Sequence, residues 1–267
     1  MPAPHRSAIS WTDYSGGDAN FVTGCTPVSE GCRNCYARAI YDRFGKDFET
    51  VSGEDGAFPK FSRLLNWKLK RDALRRGDGS RPMVFVCDTG DILHEDVSRS
   101  VLFAAFEIMD RRDDIDWQVL TKRADRLPLA VEAYRFWHGG EGELALPPHI
   151  WLGVSVENQA RADERVPLQL GVPATVRFVS VEPMLEPIDL SPWLPELDWV
   201  ICGGESGPNR RPFDPQWAVS LYQQCIWRDK PVSYFYKQGS ALKPGQDNEL
   251  PGWGIVQEWP ETNRGAE

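Results

Sequence analysis

Val176-Arg177-Phe178-Val179 gives way at once to Ser180-Val181-Glu182-Pro183, and this pairing of a short apolar run with a polar cluster decides the fold class. β-Branched and aromatic residues run on without a consistent polar alternate, the pattern of a strand covered on both faces. The unit recurs at Pro82-Met83-Val84-Phe85-Val86-Cys87, Trp117-Gln118-Val119-Leu120, His149-Ile150-Trp151-Leu152-Gly153-Val154, Trp199-Val200-Ile201-Cys202 and Pro231-Val232-Ser233-Tyr234-Phe235-Tyr236. Asn20-Phe21-Val22-Thr23 is the candidate for an earlier, first strand. Between the runs lie amphipathic stretches. From Ser98 to Arg111, Val101, Leu102, Ala105, Phe106 and Met109 repeat at helical spacing, and from Pro215 to Arg228, Trp217, Leu221, Tyr222 and Cys225 do so. Alternating strands and helices imply an α/β fold with mostly parallel strands. Six or seven such units fit a full or partial TIM-type barrel better than an open flavodoxin-like sheet, the alternative.

Composition narrows the function. The 267 residues are 41% hydrophobic and 26% charged, an ordinary globular mixture that excludes collagen, coiled-coil and wholly disordered chains. No stretch approaches the roughly 18 uninterrupted apolar residues of a membrane-spanning helix, and the opening MPAPHRSAISWTD lacks a signal-peptide core, so a cytoplasmic protein without membrane partners is expected. With 30 Lys+Arg against 39 Asp+Glu the net charge is -9, which argues against coating duplex nucleic acid by overall charge. Residues 45–81 and 139–149, richer in Gly and charge, look like insertions. Trp151, Trp199, Trp217 and Trp227 fall in regular elements and are expected in the core, whereas Trp11, Trp67 and Trp253 have no evident place. No P-loop, dinucleotide fingerprint, nucleophile elbow or paired-histidine zinc motif is present.

Every apolar run ends in small or charged residues: Asp88-Thr89-Gly90-Asp91, Thr121-Lys122-Arg123, Ser155-Val156-Glu157-Asn158, Ser180-Val181-Glu182-Pro183, Gly203-Gly204-Glu205-Ser206 and Lys237-Gln238. In a parallel α/β fold these positions converge on the C-terminal rim, where sites are built. Helix capping and turn formation explain any one cluster; six in register point to a site. Lys122, Arg123 and Lys237, with Arg210 and Arg211, would attract a carboxylate or phosphate there, unless they pair with Glu157, Glu182 and Glu205.

Three of the six cysteines form Cys25-x6-Cys32-x2-Cys35, on the loop after the first candidate strand. Gly24 and Gly31 let that loop curl, and residues 37–44 read as a helix with Cys35 near its start, where the dipole favours thiolate. Structural zinc sites usually have four protein ligands, whereas an iron–sulfur cluster held by three thiolates keeps one iron open. Zinc completed by His94 or Cys87 is the competing reading, as are reduced cysteines without metal.

The residues resemble a known family. Ile9-Ser10-Trp11-Thr12-Asp13, Val22-Thr23-Gly24-Cys25-Thr26-Pro27-Val28-Ser29, Gly31-Cys32-Arg33-Asn34-Cys35-Tyr36-Ala37 and the rim clusters above, in that order, resemble the phage-encoded three-cysteine-motif family of unknown function, over most of residues 9–240. That family in turn resembles radical SAM enzymes. The resemblance implies a single domain over 1–267, with a partial (β/α)6 barrel core over 9–240 and a C-terminal extension over 241–267. It also implies a [4Fe–4S] cluster on Cys25, Cys32 and Cys35, with S-adenosylmethionine (SAM) on the open iron. Reductive cleavage to a 5′-deoxyadenosyl radical would then serve hydrogen abstraction. Two features differ from the usual pattern: six residues rather than three separate Cys25 and Cys32, and Asn34 rather than an aromatic precedes Cys35.

The resemblance assigns Gly90 and Asp91 to the methionine amino group, and Ser155, Glu157 and Asn158 to ribose hydroxyls and the methionine carboxylate. Gly203 and Gly204 would admit adenine or substrate, with Glu205 bonding ligand or capping the next helix. Lys122, Arg123, Glu182 and Lys237 are left for substrate. Phage association points to a nucleotide or nucleic-acid base as substrate, and the chemistry calls for a reductant protein. The alternatives are a zinc-stapled module acting on nucleic acid with a partner protein, and a metal-independent hydrolase using Asp91, Glu157 or Glu182.

Overall fold

Each of the six apolar runs forms a strand, and the strands stand side by side in chain order. The computed structural model describes residues 3–70, 72, 74–77, 79–139 and 145–261, so residues 140–144 of the expected insertion and the last six of the extension lie outside it. The strands are β1 (His5–Arg6), β2 (Tyr14–Ser15), β3 (Met83–Phe85), β4 (Asp116–Thr121), β5 (Leu146–Ser155), β6 (Ala174–Val181), β7 (Trp199–Gly203) and β8 (Ser233–Gln238). They form one sheet in the order β1 to β8, with β1 antiparallel to β2 and every later neighbour parallel. This is a curled half-barrel whose edges are β1 and β8.

The helices are α1 (Tyr36–Arg43), α2 (Glu54–Leu65), α3 (Arg99–Arg111), α4 (Pro128–His138), α5 (Gln159–Leu170) and α6 (Pro215–Ile226). Side-chain caps start several of them: Ser98 accepts from Val101 N at α3, Asn158 from Arg161 N at α5, and Asp214 from Gln216 N at α6. The β6-to-β7 connection carries only a short 3-10 turn, Leu194–Glu196. Pro183, Pro187, Pro192 and Pro195 crowd that stretch, and each removes a helical donor.

The first strand is not where the apolar run suggested. Residues 20–23 form a buried, irregular segment, and the strand that begins the parallel series is Tyr14–Ser15, pairing Tyr14 with Val84. Phe21 and Val22 are fully buried, so their apolar character reports burial without a strand ladder. A single parallel bridge between Gly24 and Gly90 ties the segment to the chain after β3. Both positions require glycine: Gly24 has φ +91°, and a Cβ at Gly90 would sit 2.8 Å from Val22 O.

Alternation along the strands builds two cores. On β7, Val200 and Cys202 face the helical layer, while Trp199 and Ile201 face inward. The inward set, with Trp11, Met83, Phe85, Trp151, Val176, Phe178 and Phe235, fills the lower part of the half-barrel. Its fit is tight, since a Cβ on Gly153 would lie 2.3 Å from the Phe178 ring. The chain after β8 packs back here: Trp199 Nε1 donates to Glu258 O (2.8 Å) and Trp259 Nε1 to Trp11 O (3.1 Å). Trp11 is thus an interior residue, Trp67 lies edge-on to Tyr14, and Trp253 edge-on to Tyr222. Trp227 corrects the core expectation: it caps the end of α6 and is 69% exposed.

Among the described residues no helix is long and apolar enough to cross a membrane.

Candidate active site at the C-terminal rim

Above the aromatic filling the half-barrel opens into a cavity of about 250 Å³, walled by the strand ends on one side and the cysteine loop on the other. Ile9, Trp11, Phe85 and Leu120 make its floor, and Cys25, Cys32 and Cys35 all line it. The three thiols are unpaired and half-buried.

The loop is held from several directions. Gly24 N donates to Thr89 O (2.9 Å) and Cys25 N to Phe48 O (2.8 Å), which fixes its entry. A 3-10 turn over Glu30–Cys32 follows, and Cys35 is the cap residue of α1. Gly31 passes close to the wall: a Cβ there would approach Glu157 Cδ at 3.1 Å and Lys122 Cε at 3.3 Å.

Arg123 organises the β4 side. Nη1 donates to Cys25 Sγ (3.3 Å) and Asp91 Oδ2 (3.3 Å), Nε to Glu95 (2.6 Å), and Nη2 to Thr26 Oγ1 (2.9 Å). Asp91 also accepts from Thr121 Oγ1 (2.9 and 2.8 Å) and Leu93 N (3.0 Å). Both residues line the cavity, yet both are bound within the protein.

These contacts separate the thiols electrostatically. Burial, with Asp91 adding to it, pushes Cys25 up to about 11 against the pull of Arg123. Burial also works to raise Cys32, but the Lys122 ammonium and hydrogen bonds from the Val28 and Ser29 backbone outweigh it, leaving that thiol below its ordinary value. The Arg123 hydrogen bond holds Glu95 down to about 2.

On the opposite rim Lys237 Nζ pairs with Glu182 (2.8 Å), Ser180 Oγ donates to Glu182 Oε2 (3.2 Å), and Ser155 Oγ donates to Glu182 O (3.1 Å). Glu205 accepts from Asn34 Nδ2 (2.9 Å) and from the Arg211 backbone N (2.7 Å) and Nε (3.0 Å). Burial raises its carboxyl, while Arg211 and Asn34 together hold it below the usual range.

Cys25, Cys32, Cys35, Gly90, Asp91, Lys122, Arg123, Ser155, Glu182, Gly204, Glu205 and Lys237 all reach the cavity wall. Glu157, Asn158 and Gly203 are placed otherwise. Glu157 is fully buried against Arg165 (3.0 Å), Asn158 caps α5, and a Cβ on Gly203 would lie 3.1 Å from Glu182 Oε1. The room left by Gly204 is filled by the protein's own chain, since a Cβ would sit 2.9 Å from Ser240 N. Of the candidate fourth zinc ligands, His94 has Nδ1 accepting from Asp96 N (3.1 Å) and Nε2 2.8 Å from Thr26 Oγ1. Cys87 accepts from Val22 N (3.4 Å) and is pushed up to about 12 by burial. Sequence reasoning did not find Asn34, Thr121, Glu95 or the apolar floor. Thr121 stood in a rim cluster and Asn34 inside the cysteine motif, but neither had an assigned role.

The architecture is therefore a parallel α/β half-barrel with a thiol-lined cavity at its C-terminal rim. Residues 6–252 match the family model described as "Protein of unknown function (DUF5131)", and the chain belongs to that family. No curated protein matches the chain. Among solved structures it is similar to spore photoproduct lyase complexed with a dinucleoside spore photoproduct, at 14% identity and a TM-score of 0.45, covering 83% of this chain and 63% of that one. A cysteine–serine double mutant of that lyase, with bound AdoMet and dinucleoside spore photoproduct, gives 14% identity and a TM-score of 0.45, with 83% and 63% covered. The chain thus spans less than two thirds of the length of these structures.

Proposed function

We propose that this protein is a radical SAM-like enzyme, with Cys25, Cys32 and Cys35 as the ligands of a [4Fe–4S] cluster. The observation that carries the reading is the placement of three free thiols in the wall of one cavity at the open end of a parallel half-barrel. Among the described residues no three or more His, Cys, Asp or Glu side chains gather as a single ion would need. Three thiolates suit a cluster that keeps one iron open, whereas structural zinc wants a fourth protein ligand, and His94 and Cys87 are engaged by other partners.

Cys25, Cys32 and Cys35 would hold the cluster, which with one iron left open would supply one-electron reductive chemistry toward SAM. The chain's own residues prepare the space for that chemistry. Trp11, Phe85, Leu120 and Ile9 keep water from the floor. Arg123 and Lys122 place positive charge beside Cys25 and Cys32, which offsets the negative charge of thiolates in a half-buried site. Ser155, Ser180 and the Lys237–Glu182 pair offer hydrogen-bond partners on the far wall. The cavity opens to solvent at its mouth. There Tyr36, 50% exposed, and Lys122 suit a planar base and a phosphate, so the substrate class is a nucleotide or nucleic-acid base. An external reductant protein supplies the electron.

Anaerobic reconstitution tests the reading. The expected product is brown, with about four irons and four sulfides per chain, and releases 5′-deoxyadenosine from SAM with dithionite. A colourless protein holding one zinc, or 5′-deoxyadenosine release that survives replacement of all three cysteines by alanine, overturns it.

A further inference from the structure

Among the described residues the β1 and β8 edges do not pair with each other; residues 256–258 line β8 and Trp259 reaches Trp11 across the lower part of the seam, while at the rim the cysteine loop lies on one side and Glu205, after β7, on the other. Asn34 reaches across. Its amide nitrogen donates to Glu205 Oε2 (2.9 Å) and to Asn209 O (2.8 Å), which occupies both of its N–H groups. We infer that Asn34 and Glu205 form a latch across the seam, and that Glu205 is a positioning residue that sets Cys32 and Cys35 through Asn34.

Three observations support this. Asn34 lies between the two cysteines, so fixing its side chain constrains both thiols at once. Glu205 is 9% exposed and saturated by the protein: Oε2 takes Asn34 and the Arg211 backbone N, and Oε1 takes the Arg211 guanidinium. A carboxylate so engaged has little capacity left for a ligand, although it lines the cavity. The far end of the latch is itself anchored, since Ser240 Oγ donates to Arg211 O (2.7 Å) and ties it to the chain after β8. The hydrogen bond to Asn34 is charge-assisted and part-buried, a stronger and shorter class than a neutral pair. A phenylalanine at this position could not make it.

The latch stands on the geometry alone; its effect on a cluster rests on the function proposed above. Two readouts keep them separate. In the metal-free chain, Asn34→Asp sets two carboxylates against each other. Amide exchange over residues 29–36 should rise roughly tenfold while the melting transition stays near that of the parent. Adding Glu205→Gln to that variant supplies an amide donor to the new carboxylate and should restore slow exchange, which a general loss of packing would not allow. In the reconstituted protein, Asn34→Asp should lose iron to a chelator about tenfold faster and change the electron paramagnetic resonance line shape, with recovery in the double variant. Unchanged exchange in Asn34→Asp, or no recovery in the double variant, overturns the latch. Exchange that rises and recovers while even the parent binds no iron upholds the latch and overturns the cluster.

Discussion

The two ends of the half-barrel are built on opposite rules. The lower end is filled with Trp11, Trp151, Trp199, Phe178 and Phe235, side chains that satisfy one another by shape; Trp151 Nε1 and Trp199 Nε1 donate to backbone carbonyls, while Trp11 Nε1 is buried without an acceptor among the described residues. The upper end keeps thiols, cations and carboxylates around open space, with Cys25 held by Arg123 and Lys237 by Glu182 across separate elements. The contrast teaches where stability and chemistry reside: the lower end should tolerate almost no change in volume, and the upper end should lose function before it loses fold.

The sharpest attempt to break that division is Trp199→Ala. Removing a fully buried indole should lower unfolding free energy by about 3–5 kcal/mol, measured by denaturant titration. A value under about 1 kcal/mol would mean that the lower end is not the keystone. Gly153→Ala is next: a methyl 2.3 Å from the Phe178 ring forces repacking, for a loss of about 1–3 kcal/mol by the same titration. At the rim, replacing Cys25, Cys32 and Cys35 together by alanine should change stability by less than about 1 kcal/mol while abolishing iron uptake; a larger loss would make the thiols part of the core.

Smaller effects come from titration. Because Glu95 is held down by Arg123, its stabilising contribution is fully present above the ordinary carboxylate value of 4.5 and is lost as pH falls toward about 2. Glu95→Gln should flatten this part of the acid stability curve, and an unchanged curve would show the pair to be energetically idle. In the metal-free protein Cys32 should be alkylated at lower pH than an ordinary thiol, whereas Cys25 should resist until near pH 11. Mass spectrometry of the labelled chain gives the order, and Lys122→Met should erase the Cys32 advantage.

Much of the lower end was legible in the sequence. Runs such as Val176–Val179 read as strands because they are short, β-branched and aromatic, and bounded by turn residues, and their rim clusters follow from parallel topology. Tyr14–Ser15 was hidden because a two-residue strand has no periodicity, and Asn20–Thr23 misled because burial of Phe21 and Val22 looks the same with or without a ladder. At the upper end the sequence revealed which residues reach the rim but not which partner each finds there. That Glu157 meets Arg165, Lys237 meets Glu182 and Glu205 meets Asn34 depends on side-chain reach across separate elements, which no local pattern encodes.

The indoles of Trp11 and Trp151 lie 6.1 and 6.0 Å from that of Trp199, each edge-on to it and sealed from solvent. Chromophores this close and this rigidly angled couple their excited states, so the chain carries a built-in optical gauge of its folded interior. A chiral signal in the indole absorption band should persist through oxidation, metal loading and emptying of the rim, and should vanish only when the barrel itself comes apart.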